Sequence, residues 1–432
     1  MNVFIKLLAC TGLSLMGRFA FAQTDTLYIS TAQAEDLFIR QNLQLIAEKL
    51  SIGVAEAAIM QAKLWPNPTL SIQDVNPWPT EKQRNGEDEI IPPLFGSFAR
   101  NTQFAVGVEQ VIVMGGRRRK LVEMERVSRD IAVQYFEELL RSLKVELRNA
   151  CIELSYMQEY RKTLEYQREK LELLINGYRN QVTQGNVPKS ELLRLQASLL
   201  EVHSEINDLQ KDMNQQQKDL NVLLCLPAPA CIVVTATDLH TKAPEDLSFG
   251  KLIELADEFR PDLKEAMFQK DYAEKALRYE QSQRKPDLTL GAVYDRAGGV
   301  TPNFFGLGAS MDLPFFNRNK GNIRSAQIGV RQNRLLAEQK QLEVHNEVVH
   351  AMQNYTLVYD FQRRITDEFI ANLDEMLESY TRNFINKNIG IVELLDFFAA
   401  WKDNKRTMLA ARKDVMISFE ELQYAVGREI NF

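Results

Sequence analysis

The chain has 432 residues, 45% of them hydrophobic, and a formal net charge of −6. That length can bury a large core, and the acidic balance argues against a nucleic-acid binder despite the local basic run Arg117-Arg118-Arg119-Lys120. After the N-terminus no stretch approaches the roughly 18 consecutive apolar residues of a membrane-spanning helix, so entry into a membrane would have to use strands.

Residues 1–22 read as a secretory signal. Lys6 is the lone early cation, an apolar run with small residues follows, and Ala20-Phe21-Ala22 resembles a cleavage site before Gln23. Loss of Lys6 and Arg18 with that segment takes the charge from −6 to −8. The rival reading makes Leu7-Leu8-Ala9-Cys10 a lipoprotein box, with a shorter apolar run than the usual 7–15 or so. On either reading the mature chain leaves the cytoplasm.

Proline placement draws the helices. All fourteen prolines fall in 66–93, at 188, in 227–261 or in 286–314. Proline breaks helix interiors, so the proline-free gaps can hold long helices. The gap from Gly116 to about Gln184 carries Leu139, Leu143, Leu147, Leu154, Leu164, Leu171 and Leu174 at helical spacing, and Gly321 to about Asn386 behaves alike. Each would be roughly 100 Å long at about 1.5 Å per residue. Shorter helical stretches are expected over 34–63, 189–224, 249–283 and 390–426. Within each half the two short stretches sum to about one long helix. That arithmetic suggests antiparallel helical staves with coiled-coil-like packing.

Strands are expected over 68–75, 103–113, 287–295 and 305–313. Each alternates. Leu70 and Ile72, Val106 and Val108, Leu290 and Ala292, and Phe305 and Leu307 take one face, with small or polar residues such as Ser71, Gly107, Gly291 and Gly308 between them. Such alternation over about 10 residues marks a membrane-barrel strand, although a soluble sheet with one dry face would look the same. Aromatic residues, among them Trp65, Trp78, Phe95, Phe304, Phe315 and Phe316, gather near strand ends as interface residues do. A barrel needs at least about 8 strands, so four per chain demand an oligomer, and three copies would supply twelve.

The second half repeats the first. Residues 175–193 (INGYRNQVTQGNVPKSELL) match 377–395 (LESYTRNFINKNIGIVELL), 61–71 match 281–291, and 104–117 match 305–318. The offset falls from about 220 to about 202, so the first copy holds roughly 19 extra residues within 77–101. The polar segment Glu81–Glu89 in that insertion reads as an exposed loop. The expected organisation is a signal at 1–22, a first repeat over 23–230 and a second over 231–432. Cys225 and Cys231 flank Leu-Pro-Ala-Pro-Ala and could form a short-loop disulfide in an oxidising compartment.

With this duplication, the helix–strand–strand–helix order, the phrases Gln184-Gly185-Asn186-Val187 and Lys387-Asn388-Ile389-Gly390, and the strand ends Val113–Arg117 and Leu313–Arg318, the chain resembles the TolC-type outer-membrane efflux proteins. Within them it looks most like the heavy-metal efflux branch (CzcC/CusC-like). The resemblance implies a mainly α fold with membrane β. It implies a homotrimer whose twelve-stranded barrel sits in outer-membrane lipid on a long antiparallel α-helical periplasmic tunnel. It also implies a periplasmic adaptor and an inner-membrane pump, with this chain the passive exit duct for metal cations or small toxic compounds.

By that resemblance the constriction at the periplasmic mouth falls on Glu393 and Asp396, with Glu191 the first-half equivalent. Three residues apart, Glu393 and Asp396 share a helix face. Threefold symmetry would stack them as acidic rings that attract cations. The plainer reading is solvated acids near a helix N-terminus, where acids are favoured anyway. Gly185, Asn186 and Val187, and Asn388, Ile389 and Gly390, become hairpin tips for adaptor or pump contact. Ile389 stands where the family often has a basic gating residue, with Arg382 and Lys387 nearby as substitutes. No catalytic constellation, cofactor motif or metal-ligand cluster is visible, and no nucleic-acid partner is expected. The alternatives are a non-transporting periplasmic coiled-coil scaffold and the outer-membrane duct of a protein secretion system.

Overall fold

The computed structural model describes residues 26–76, 103–235, 241–296 and 303–430. The expected signal and Cys10, and the insertion within 77–101 with Trp78, Phe95 and the 81–89 segment, lie outside those residues. Along the chain come β1 (Thr26–Ile29), α1 (Thr31–Gln41), α2 (Leu43–Lys63), β2 (Thr69–Asn76), β3 (Gln103–Ile112), α3 (Arg117–Thr183) and α4 (Lys189–Leu223). Then follow β4 (Cys231–Val234), α5 (Phe249–Phe259), α6 (Pro261–Ser282), β5 (Leu288–Arg296), β6 (Phe304–Met311), α7 (Lys320–Gln362), α8 (Asp367–Ile385) and α9 (Ile391–Val426).

The proline-free gap at 116–184 becomes the uninterrupted 67-residue α3. Three other expected helices are each split in two. Over 34–63 the chain leaves the helix at Asn42, which turns extended. Its Oδ1 accepts from Leu45 N–H at 3.0 Å and its Nδ2 donates to Leu223 O at 2.9 Å, so one side chain starts α2 and ties it to the end of α4. Over 249–283 Arg260 is extended and Pro261 opens α6, the position where a missing N–H costs nothing. Over 321–386 the break lies at 363–366, and the Thr366 hydroxyl restarts α8 by accepting from Phe369 N–H at 3.2 Å. The breaks at Asn42 and Thr366 involve no proline, so the proline map could not show them. Pro261 could have shown the third.

The chain clusters into two compact units. One combines Glu137–Arg260, the residues from Glu343 on and the described residues before Glu48; the other combines Glu48–Phe136 with Pro261–Leu342. The first contains an unexpected two-stranded parallel sheet that pairs β1 with β4, Leu27 opposite Ile232. Side-chain amides dock β4 on α4. Asn221 bonds both N–H and C=O of Ala230 at 2.9 and 3.0 Å, and Gln217 bonds both of Ile232 at 2.7 Å.

Cys225 and Cys231, the possible disulfide of the sequence, are both free thiols in this structure. Ile232 is buried against the unit, so alternation along β4 leaves Cys231 exposed. Cys225, in a left-handed conformation just past α4, turns its sulfur to Val222 O and Leu43 N–H, each at 3.5 Å.

Arg148 of α3 ties the same unit together. It bonds Glu35 of α1, Glu420 of α9 at 2.9 Å and Glu429 at 2.6 Å. Burial pushes the Glu420 carboxyl above the usual carboxylate range, against the pull of Arg148. The Arg148 hydrogen bond holds Glu429 below that range. Glu420 is 1% exposed, so removing Arg148 strands a buried carboxylate.

The second unit holds a four-stranded antiparallel sheet in the order β2-β3-β5-β6. Its register decides the faces, because residues directly opposite in neighbouring strands share one. Ile72, Val106, Tyr294 and Phe305 form one row across all four strands, and Leu70, Val108, Ala292 and Leu307 the next. The other face carries Ser71, Gly107, Val293 and Gly306, then Thr69, Glu109, Gly291 and Gly308. The apolar sets of four separate strands therefore combine into one apolar surface, and Leu307 on it is 82% exposed. A bulge at Asp74 (φ 52°) shifts the register between Gln73 and Asn76.

Two expected outcomes follow from these packings. Arg148→Ala should cost about 3–5 kcal/mol, as removal of one member of a buried ion pair does, while Glu420→Gln keeps an acceptor without the charge and should cost little. Denaturant midpoints of the helical circular dichroism signal compare the two. On the sheet, Leu307→Arg and Leu290→Arg should impair outer-membrane assembly, since a charge facing lipid near the midplane costs about 2–4 kcal/mol. Gly308→Ser should be mild, because a Cβ there meets nothing within 4 Å. Equal tolerance at the three positions, read from the assembled fraction in membranes, would contradict the assigned faces.

Candidate functional site

Two helical hairpins, α3–α4 and α8–α9, are built by the same local chemistry. At the first, Gly185 adopts φ 76°, its N–H donates to Val182 O at 3.0 Å, and Asn186 N–H donates to Gln181 O at 2.9 Å. At the second, Lys387 adopts φ 59°, its N–H donates to Phe384 O at 3.0 Å, and Asn388 N–H donates to Asn383 O at 2.9 Å. Both are left-handed helix stops that satisfy the last carbonyls. The following asparagines also bond alike, Asn186 Nδ2 to Gln181 Oε1 at 3.1 Å and Asn388 Nδ2 to Asn383 Oδ1 at 3.2 Å. Pro188 and Gly390 then cap α4 and α9 without a side-chain hydrogen bond.

Acids sit in both first turns, Glu191 in α4 and Glu393 in α9, where the helix dipole favours them. The buried stripe of α9 fixes the aim of its polar face. Ile391, Leu394, Phe398 and Trp401 are buried with Leu171 and Leu174 of α3, Leu195 and Val202 of α4, and Leu377 and Phe384 of α8. Helical spacing then leaves Glu393 and Asp396 together on the exposed side. Glu191 is half-buried instead. Its charge adds to burial in raising the Tyr178 phenol above its ordinary value. Tyr178 stacks on Phe384 with ring centres 4.9 Å apart, and its repeat partner Tyr380 stacks on Phe397 at 4.3 Å.

The tip residues Gly185, Asn186, Asn388 and Gly390 are exposed at the turns, with Val187 half-buried. Ile389 packs against the apolar cluster. Of the two cations near it in sequence, Arg382 adds, after Lys170 and Tyr166, the smallest share to the lowering of the Glu378 carboxyl, and Lys387 occupies the left-handed turn position.

Three carboxylate clamps around this cluster were not legible in the sequence. Glu378 of α8 accepts from the Tyr166 hydroxyl and from Lys170 of α3 at 2.7 Å. Asp374 of α8 accepts from Trp401 Nε1 at 2.9 Å and Lys405 at 2.7 Å, both on α9. Glu205 of α4 accepts from the Tyr160 hydroxyl and from Lys402 of α9 at 2.7 Å. The Lys170 hydrogen bond holds Glu378 below the usual carboxylate range. Burial pushes Glu205 up, but hydrogen bonds from Lys402 and Tyr160 outweigh it and the net direction is down. Each acid stands 27 to 212 residues from the groups it accepts from, so no sequence spacing pairs them. Among the described residues no group of three or more His, Cys, Asp or Glu is placed to hold a metal ion.

The sequence profile of the outer membrane efflux protein family matches residues 36–225 and 252–428. No curated protein matches the chain in sequence. Among solved structures the chain is similar to CusC at 16% identity, with 94% of each chain covered and a TM-score of 0.71. It is similar to the CmeC outer membrane channel of Campylobacter jejuni at 14% identity, covering 92% of this chain and 85% of that one, with a TM-score of 0.73. It is also similar to the open state of the MtrE outer membrane channel of Neisseria gonorrhoeae at 15% identity, covering 92% and 89%, with a TM-score of 0.68. At these identities the structural likeness is one of fold. The profile spans most of both halves, and the chain belongs to the outer membrane efflux protein family, as an outer-membrane channel protein that extends into the periplasm.

Proposed function

We propose that three copies of this chain join their sheets into a twelve-stranded barrel and serve as the passive exit duct of a tripartite efflux system. The observation that carries this reading is the four-stranded sheet with one apolar face and two outer strands, β2 and β6, each paired on one side only among the described residues. Unpaired N–H and C=O groups are not tolerated in lipid, and identical neighbours satisfy them at least cost. A soluble periplasmic scaffold would have no use for an apolar sheet face. Residues 23–230 and 231–432 are read as two copies of one structural unit, a reading supported by the matched hydrogen bonds of the two hairpins.

The hairpin ends form the periplasmic mouth in this reading, and their turns meet an adaptor or an inner-membrane pump. Glu393 and Asp396 make two acidic rings around the axis, with Glu191 behind them. Exposed carboxylates concentrate cations and hold back anions. The substrates that fit are metal cations or small cationic toxic compounds.

Mass measurement of the purified protein in mild detergent should give a trimer; a stable monomer would sink the barrel. In planar bilayers, di- and trivalent cations should block conduction from the periplasmic side. The double variant Glu393→Ala with Asp396→Ala should relieve that block and lower cation preference. Its assembly should stay intact, since exposed substitutions usually shift stability by less than about 0.5 kcal/mol. Wild-type selectivity and blocker affinity in the double variant would return both residues to the role of ordinary surface acids.

A further inference from the structure

The four connections between sheet and helices, taken with the helix ends that adjoin them, share a composition unlike the rest of the chain. They are residues 63–68 before β2, 113–120 after β3, 283–287 before β5 and 312–324 after β6. Together they hold ten Lys or Arg against two carboxylates, Asp287 and Asp312, in a chain of net charge −6. Three of the cations are engaged internally, Lys120 among them through its bond to Gly115 O at 3.3 Å. Arg117 pairs with Asp287, and Arg118 lies over the Trp65 ring at 3.9 Å. Others face outward. Arg119 is 83% exposed with only a 3.4 Å contact to Glu123. Arg284, Arg318 and Arg324 are exposed and form no ion pair among the described residues. At the opposite strand ends the described residues include Asp74, Asp295 and a single cation, Arg296, which is buried.

The charges border an apolar surface. Past the end of β6 Leu313, Phe315 and Phe316 are exposed, and Leu64 and Trp65 are exposed before β2. Exposed aromatics beside cations at the rim of an apolar band suit the headgroup region of a bilayer, where rings sit at the interface and Lys or Arg meets phosphate. Nucleic acid and free phosphate would both meet the charges but leave the adjoining apolar band unused.

We propose that this sheet–helix junction is a collar that binds the phosphate headgroups of anionic phospholipid in the periplasmic leaflet of the outer membrane. The proposal rests on the sheet lying in the bilayer, with the helices on the periplasmic side. The full chain is reconstituted in nanodiscs of phosphatidylethanolamine with a minor fraction of phosphatidylglycerol. Tightly held lipid is then identified by mass spectrometry after mild detergent extraction. Wild type should retain phosphatidylglycerol severalfold above its bulk share, less so at high salt. The triple variant Arg119→Gln, Arg318→Gln and Arg324→Gln should retain at least about tenfold less. The matching triple Lys variant should restore retention. Insertion without enrichment, enrichment unchanged in the Gln variant, or displacement of the lipid by inorganic phosphate alone would each overturn the collar while leaving the barrel standing. Failure of wild type to enter nanodiscs at all would overturn the bilayer placement and the collar with it.

Discussion

An open sheet in lipid is the constraint on which the rest of this structure depends. Among the described residues of one chain β3 and β5 find partners on both sides, whereas β2 and β6 each keep one bare hydrogen-bonding edge. In water such an edge is a hazard that charges or bulges can blunt; in hydrocarbon each unsatisfied group costs several kcal/mol. The central pairing joins β3 from the first half of the chain to β5 from the second, in unbroken register from Phe104↔Arg296 to Ile112↔Leu288. What must be supplied from outside is the equivalent junction between β6 and a β2. A duplicated chain that already makes one such seam has the pattern for making it again with another copy.

The hairpin region solves a different problem. Its cluster is rich in aromatic and branched side chains, yet the hairpins need a fixed register as well as burial. The three carboxylate clamps supply it. Each acid receives one aromatic N–H or O–H and one ammonium; Glu378 and Asp374 each link two helices and Glu205 links three. Charge-assisted bonds of this kind are directional where apolar contact is not. Surface ion pairs are worth little alone. These are anchored on rings that already pack, Tyr166 against Trp401 at 5.7 Å among them, so their geometry is set before the charge arrives.

What the sequence showed and what it hid divide along physical lines. Period-2 alternation located all four sheet strands to within a residue or two, because each has one apolar face and the pattern repeats in both halves. The ends of α3, α4 and α9 were legible from glycine, proline and the doubled hairpin phrase. The helix breaks at Asn42 and Thr366 were not, since a polar side chain that ends one helix and starts the next looks like any other surface residue. β1 and β4 were missed because four residues are too few to show a period, and their pairing is parallel across some 200 positions. Glu393 and Asp396 were visible as a pair on one face, and the buried stripe of α9 explains that face. Glu191 was grouped with them by the repeat, but its half-buried place beside Tyr178 follows from packing that the repeat does not encode.

Charge is where the two kinds of information meet. A net of −6 averages over regions of opposite sign. The run Arg117–Lys120 is a poor argument for nucleic acid because it does not stand alone: it is one of four cationic connections that adjoin an apolar sheet face. The acids at Glu191 and Glu393 are equally ordinary by composition, being first-turn residues that the helix dipole would favour in any protein. Neither group carries meaning through its residue types. Each acquires it from what the fold puts next to it, an apolar band for the cations and an aromatic cluster that leaves Glu393 exposed and Glu191 half-buried.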